Sequence, residues 1–228
     1  MSILSRRTLI CCALLCTVCS VYAQFNIKVG YNGNYANLQK TTDIFNRYSS
    51  KFTSQNQELK PINFYHGIEF GARYKLSKNL GFDFGLSATK GKSKASDLSL
   101  ISSELKENEW KISQNSLYIG LENYFGFFGY GATIGYQQLK YKNKTNLITK
   151  DNEVLNQNVL NSRFCLIFEF ASDKNAFSFR PFVSINWQSY NVHNIELTLF
   201  PDSNLTSTDF NEDLMVYGIS FMIYNGPQ

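Results

Sequence analysis

Apolar and polar residues alternate along most of the chain beyond residue 24, with the period of two expected of strands that bury one face. The alternation recurs in eight segments: 25–38, 64–76, 80–89, 113–125, 128–141, 162–171, 177–188 and 213–224. In the first, Phe25, Ile27, Val29 and Tyr31 share one face, while Asn26, Lys28, Gly30 and Asn32 share the other. In the second, Ile68, Phe70, Ala72 and Tyr74 oppose Gly67, Glu69, Gly71 and Arg73. Short connections at 77–79, 126–127 and 172–176 take turns with long polar ones at 39–63, 90–112, 142–161 and 189–212. Short turns at one end and long loops at the other predict an all-β fold, an eight-stranded antiparallel up-and-down transmembrane β-barrel.

Alternation does not say which face points inward, but bulk and charge do. The bore of an eight-stranded barrel only just accommodates side chains. The apolar face carries too many Phe, Tyr and Trp residues to fit there, whereas ten of the 14 glycines fall on the polar face. Lys28, Glu69, Arg73, Asp83, Glu122, Arg163, Glu169 and Arg180 also fall on the polar face. A Lys or Arg in lipid costs about 2 to 4 kcal/mol at the bilayer midplane. The polar face is therefore expected to line the lumen, with these eight residues forming an ion-pair network that plugs it, since burying one sign alone would be prohibitive. A soluble lipocalin-like ligand-binding barrel is the alternative, and it needs the opposite facing.

The N-terminus adds a delivery signal. Arg6-Arg7, an apolar run from Leu9 to Cys19 and Val21-Tyr22-Ala23 before Gln24 have the layout of a secretory signal peptide cleaved after Ala23. The chain then divides into a signal peptide, 1–23, and a barrel domain, 24–228. The run is too short to span a bilayer as a helix, which takes about 20 residues. Four of the five cysteines leave with it, so Cys165 has no intrachain disulfide partner. Losing Arg6 and Arg7 lowers the formal charge from +4 to +2, which gives no reason to expect nucleic acid as a partner. A mean hydropathy of −0.25 argues against membrane helices but suits strands that are apolar on one face only.

Lys28-Val29-Gly30-Tyr31-Asn32, the stretch from His66 to Lys78, and Gly81-Phe82-Asp83-Phe84-Gly85-Leu86 resemble the outer-membrane protein β-barrel domain, or PorT-like, family. The plan is also similar to the small OmpA and OmpX barrels. The resemblance implies a cell outer-membrane location in a Gram-negative bacterium and, through the PorT-like family, an accessory part in a protein secretion system.

Candidate chemistry changes the picture little. His66 and His193 have no Cys, Asp or Glu at ligand spacing, and neither is followed by the Ser found in outer-membrane lipid A deacylases, so no metal, cofactor or catalytic residue is expected. Asn143-Lys144-Thr145 and Asn204-Leu205-Thr206 match a glycosylation sequon but read as ordinary loop residues. Residues 146–149 and 153–155 flank a turn-like Lys150-Asp151-Asn152, and 195–200 alternates as well; the outer connections read as solvated loops, with extension of the strands into hairpins as the alternative. These features predict a non-enzymatic monomer with outer-membrane lipid around it, a structural or surface-interaction role, and room for a protein partner at the outer loops.

Overall fold

The computed structural model describes residues 24–51, 59–98, 105–145, 151–172, 174–201 and 210–225. The segments 1–23, 146–149 and 204–206 discussed above lie outside these residues, as does Lys150.

The barrel strands are β1 (Gln24–Asn37), β2 (Phe64–Lys75), β3 (Leu80–Leu98), β4 (Leu105–Phe125), β5 (Phe128–Thr145), β6 (Asn152–Ala171), β7 (Asn175–Asn186) and, after two short strands, β10 (Met215–Asn225). Each is antiparallel to its chain neighbour, and β1 pairs with β10 from Ile27↔Asn225 to Asn37↔Met215, which closes the barrel. Closure leaves no open edge at this level. Three short turns sit at one end. The tightest joins Phe125 to its cross-strand partner Phe128 through Gly126, whose φ of 68° is the left-handed conformation required at the first central position of a two-residue hairpin turn.

Side chains alternate across the wall, except where a bulge in β6 buries the adjacent Val154 and Leu155. Phe25, Ile27, Val29, Phe70, Phe84, Leu86, Ile119, Leu121, Ile134, Phe164 and Ile223 point outward and are exposed. Asn26, Lys28, Glu69, Arg73, Asp83, Glu122, Glu169 and Arg180 point inward and are buried. This facing contradicts the lipocalin-like alternative, because the apolar face is on the outside. A row of phenylalanines crosses the outer wall in register, Phe125↔Phe128↔Phe168↔Phe179↔Phe221. Neighbouring rings along it approach to 5.6, 6.1 and 5.3 Å, within the usual range for aromatic pairs.

The long-loop end departs from the sequence reading in three places. Residues 90–98 and 105–112 are strand where a polar loop was expected: β3 and β4 stay paired as far as Leu98↔Leu105. The 39–63 connection opens with a helix, α1 (Gln39–Lys51), where a polar loop was expected. Residues 195–200 are not a strand either, because α2 (His193–Leu199) takes up 195–199 and Phe200 caps it. Over six residues a period of two cannot be told from the helical period, and here Ile195 and Leu199, four apart, are the buried pair. Between β7 and β10 the short strands β8 (Tyr190–Asn191) and β9 (Asn211–Glu212) pair with each other. The β5–β6 hairpin does continue above the barrel, with Lys142↔Glu153 and Asn143↔Asn152 in register.

Candidate functional site

Two interiors are stacked inside the same wall. The lower one is polar and charged. Parity along the strands sends Lys28 of β1, Glu69 and Arg73 of β2, Asp83 of β3, Glu122 of β4, Arg163 and Glu169 of β6 and Arg180 of β7 into the bore. Lys28 Nζ donates to Asp83 Oδ1 at 2.5 Å, to the Tyr118 hydroxyl at 2.6 Å and to Glu69 Oε1 at 3.3 Å. Glu69 also accepts from Tyr118, from Asn32 Nδ2 at 2.8 Å and from Arg163 at 3.2 Å. Arg180 sits 3.9 Å from Asp83 and is bound to Glu122, which accepts from the Tyr124 hydroxyl. Tyr124 in turn accepts from Arg73 at 3.0 Å, and Arg73 pairs with Glu169. All eight residues belong to one array: two clusters of charge-assisted hydrogen bonds, the strong kind, joined by the longer Arg180–Asp83 ion pair.

Several members of this array are not among the eight sequence candidates. Lys75 Nζ donates to Glu169 at 3.2 Å, Tyr118 and Tyr124 link acids to bases, and the Arg73 guanidinium stacks 3.9 Å from the Tyr224 ring centre. Their parity is the signal that finds them, since Tyr118, Glu122 and Tyr124 share a face. Tyrosine reads as a belt residue unless its position in the alternation is given more weight than its type. Small residues make the room. A Cβ on Gly85 would come within 2.6 Å of the Tyr118 hydroxyl, and one on Gly71 within 2.8 Å of Lys28 Cε.

Above this array the lining changes character. Trp110, Ile112, Leu139, Tyr141, Val154, Leu155, Val159 and Val216 point inward and pack with Ile44 and Phe45 of α1 and Ile195 and Leu199 of α2 as one apolar core. Thr41, Ile44, Phe45 and Tyr48 give α1 an inner face at helical spacing. Phe45 meets the Trp110 ring edge-on at 5.4 Å. Glu212 of β9 caps α1, accepting from the Lys40 and Thr41 amides at 2.9 and 2.7 Å, where a carboxylate also suits the helix dipole. Arg47 of α1 and Glu196 of α2 pair at 2.6 Å. The Tyr190 hydroxyl accepts from Gln137 at 2.9 Å and joins the cap to the barrel below. Burial pushes the Tyr141 and Tyr190 phenols well above the ordinary tyrosine range, so both stay protonated at neutral pH.

The remaining candidates do not converge. His66 is on the outer wall, with its ring 5.7 Å from Tyr31, while His193 packs against Phe210 in the cap at 4.4 Å. Among the described residues no three His, Cys, Asp or Glu side chains are grouped to hold a metal. Cys165 is half-buried on the lumen face beside Gly131.

No protein-family model matches the chain, and no curated protein matches it, so the PorT-like resemblance rests on the stretches quoted above alone. Solved structures with a similar arrangement include Ail, the attachment invasion locus protein of Yersinia pestis, at 12% identity over 90% of this chain and 98% of that one, with a TM-score of 0.43. Neisserial surface protein A is similar at 7% identity over 89% and 97% of the two chains, with a TM-score of 0.47. The N-terminal β-barrel domain of Pseudomonas aeruginosa OprF is similar at 10% identity over 88% and 98%, with a TM-score of 0.33. At such identities and scores, what those proteins bind or do belongs to them and not to this chain.

Proposed function

We propose that the chain is an integral outer-membrane β-barrel, exported by a signal peptide cleaved after Ala23, whose turns face the periplasm and whose cap stands outside the cell. The observation that carries this reading is the reversal of polarity along single strands. On β5 the outward residues run Phe128, Tyr130, Ala132, Ile134, Tyr136 and then Gln138, Lys140, Lys142, while the inward ones run Gly129, Gly131, Thr133, Gly135, Gln137 and then Leu139, Tyr141. Apolar outside and polar inside suits hydrocarbon around the wall; the reverse suits water. At roughly 3.4 Å per residue and a tilt of about 40°, Phe128 to Tyr136 spans roughly 20 Å, close to the ~25 Å apolar band of outer-membrane barrels.

Within this reading the ion-pair array is a plug and not a catalytic centre. Its acids are taken up by bases and hydroxyls, which leaves no carboxylate free to act as a general base. The folded cap provides the surface for interaction with partners. Heat-modifiable gel mobility and co-fractionation with outer membranes test the placement, and recovery of the folded chain in the periplasmic soluble fraction would refute it. In planar bilayers the plugged lumen gives no stable large conductance. A reproducible porin-sized channel overturns the plug, and an altered lipid A mass spectrum on gene deletion overturns the non-enzymatic part.

A further inference from the structure

Seven lysines stand on one sector of the outer wall, immediately above the apolar belt: Lys90, Lys92 and Lys94 on β3, Lys111 on β4, and Lys140, Lys142 and Lys144 on β5. The register puts Lys92, Lys111 and Lys142 directly opposite one another across three strands, and Lys90 and Lys140 on either side of Ser113. Like charges directly opposite in a sheet repel and weaken it. Acids relieve only part of this. Lys111 pairs with Asp151 at 3.2 Å and Lys94 approaches Glu109 at 3.8 Å. Among the described residues Lys90, Lys92, Lys140 and Lys142 have no carboxylate within ion-pair distance. Lysine on an edge strand deters strand addition, which accounts for Lys92 and Lys94 on the outer part of β3. It does not account for Lys111, Lys140 and Lys142, whose strands are paired on both sides.

The shape of this sector supplies the second observation. Five of them, Lys90, Lys92, Lys111, Lys140 and Lys142, line a groove of about 860 Å³ together with Asp151. Directly below it is a second groove of about 540 Å³ walled by Ile68, Phe70, Leu86, Leu117 and Tyr136. Asn115 borders both, so the two adjoin. A cationic upper half over an apolar lower half has the form of a phosphorylated amphiphile, with phosphates among the lysines and an acyl chain along the belt.

We infer that this sector of β3, β4 and β5 binds a phosphorylated, acylated lipid of the surrounding outer leaflet, with Lys92, Lys111 and Lys142 on its phosphates. Free phosphate has no use for the apolar trough. A protein approaching from water would not reach it at membrane level. The inference rests on the belt being the membrane-spanning surface.

Native mass spectrometry of the detergent-solubilised full barrel tests it, using bisphosphorylated lipid A, the same lipid dephosphorylated, and inorganic pyrophosphate. The bisphosphorylated lipid is expected to be retained at least about tenfold better than the dephosphorylated one, with the preference falling as salt rises. The K92Q/K111Q/K142Q variant is expected to lose that preference while keeping heat-modifiable mobility, and the matching triple Lys→Arg variant to retain it. Should the triple Gln variant fail to fold, K92Q alone reads the same loss at about threefold. Equal retention of the two lipids, undiminished binding by the Gln variants, or pyrophosphate held as tightly as the lipid overturns the inference while the membrane reading stands. A chain that stays folded and monodisperse without detergent overturns both.

Discussion

The barrel wall and the cap are made from the same strands, yet they are built inside out relative to each other. Up to Gln137, β5 turns its rings outward and its glycines and Gln137 inward; beyond it, Lys140 and Lys142 face out while Leu139 and Tyr141 are buried. On β4 the inward residues change from Tyr124, Glu122 and Tyr118 to Ile112 and Trp110. Strand geometry is the same in both regions, so the difference lies in the surroundings each face meets. On the proposed membrane reading hydrocarbon bathes the lower wall, so apolar groups there gain nothing by turning inward and charged groups escape lipid only by pairing in the bore. Where water bathes the wall, the ordinary hydrophobic effect returns, and α1 and α2 cover what the strands turn inward.

The largest effect is expected in the lower interior. Lys28 binds both Glu69 and Asp83, so Lys28→Met leaves two buried carboxylates short of positive charge, Asp83 with Arg180 at 3.9 Å and Glu69 with Arg163. Removing one partner of a buried pair costs about 3–5 kcal/mol, read as a lower urea midpoint for the barrel refolded in lipid vesicles. Adding Asp83→Asn to that variant should recover part of the loss, because one of the stranded charges goes with it.

A comparable substitution in the cap should act locally. Phe45→Ala removes the ring that packs on Trp110 and costs about 3 kcal/mol or more. Limited proteolysis should then cut within α1 and the outer connections while heat-modifiable mobility persists. Cleavage in the barrel strands as well would mean that the two regions do not fold as separable layers.

A smaller effect is expected at the helix cap. Glu212→Ala removes the acceptor for the Lys40 and Thr41 amides, at about 1 kcal/mol. Hydrogen exchange at those two amides should quicken roughly fivefold, with the strand amides of the lower barrel unchanged.

Strand number, facing and the charged lining were legible in the sequence because a period of two, read over eight segments, leaves few ways to arrange the faces. Lys28, Glu69, Arg73, Asp83, Glu122, Arg163, Glu169 and Arg180 fall on the inner face by parity alone. What parity does not convey is the partner of each charge, which depends on register across strands up to 96 residues apart, as for Arg73 and Glu169. Parity puts Tyr118 on the inner face too, but its and Tyr124's part in the network is not legible, because tyrosine suits both a membrane belt and a buried hydrogen-bond chain. The cap was hidden for a different reason. Its polar outer residues, such as Gln39, Asp43 and Asn46, make 39–63 look like solvated loop, and its inner residues are too few per turn to stand out, although Ile44, Phe45 and Tyr48 do keep helical spacing. The extension of β3 and β4 was concealed because the alternation reverses sense there: Lys90, Lys92 and Lys94 take up the outward positions that Phe82, Phe84 and Leu86 hold below.

The reversal itself is open to direct measurement. Spin labels placed one at a time at Ile134, Tyr136, Gln138 and Lys140, in a Cys165→Ser background in lipid bilayers, report collision with oxygen, which concentrates in hydrocarbon, and with a water-soluble nickel chelate. Ile134 and Tyr136 should favour oxygen, Lys140 should favour nickel, and the exchange should fall near Gln138. Nickel-dominated relaxation at all four positions would place the phenylalanine belt in water and contradict the membrane-spanning reading.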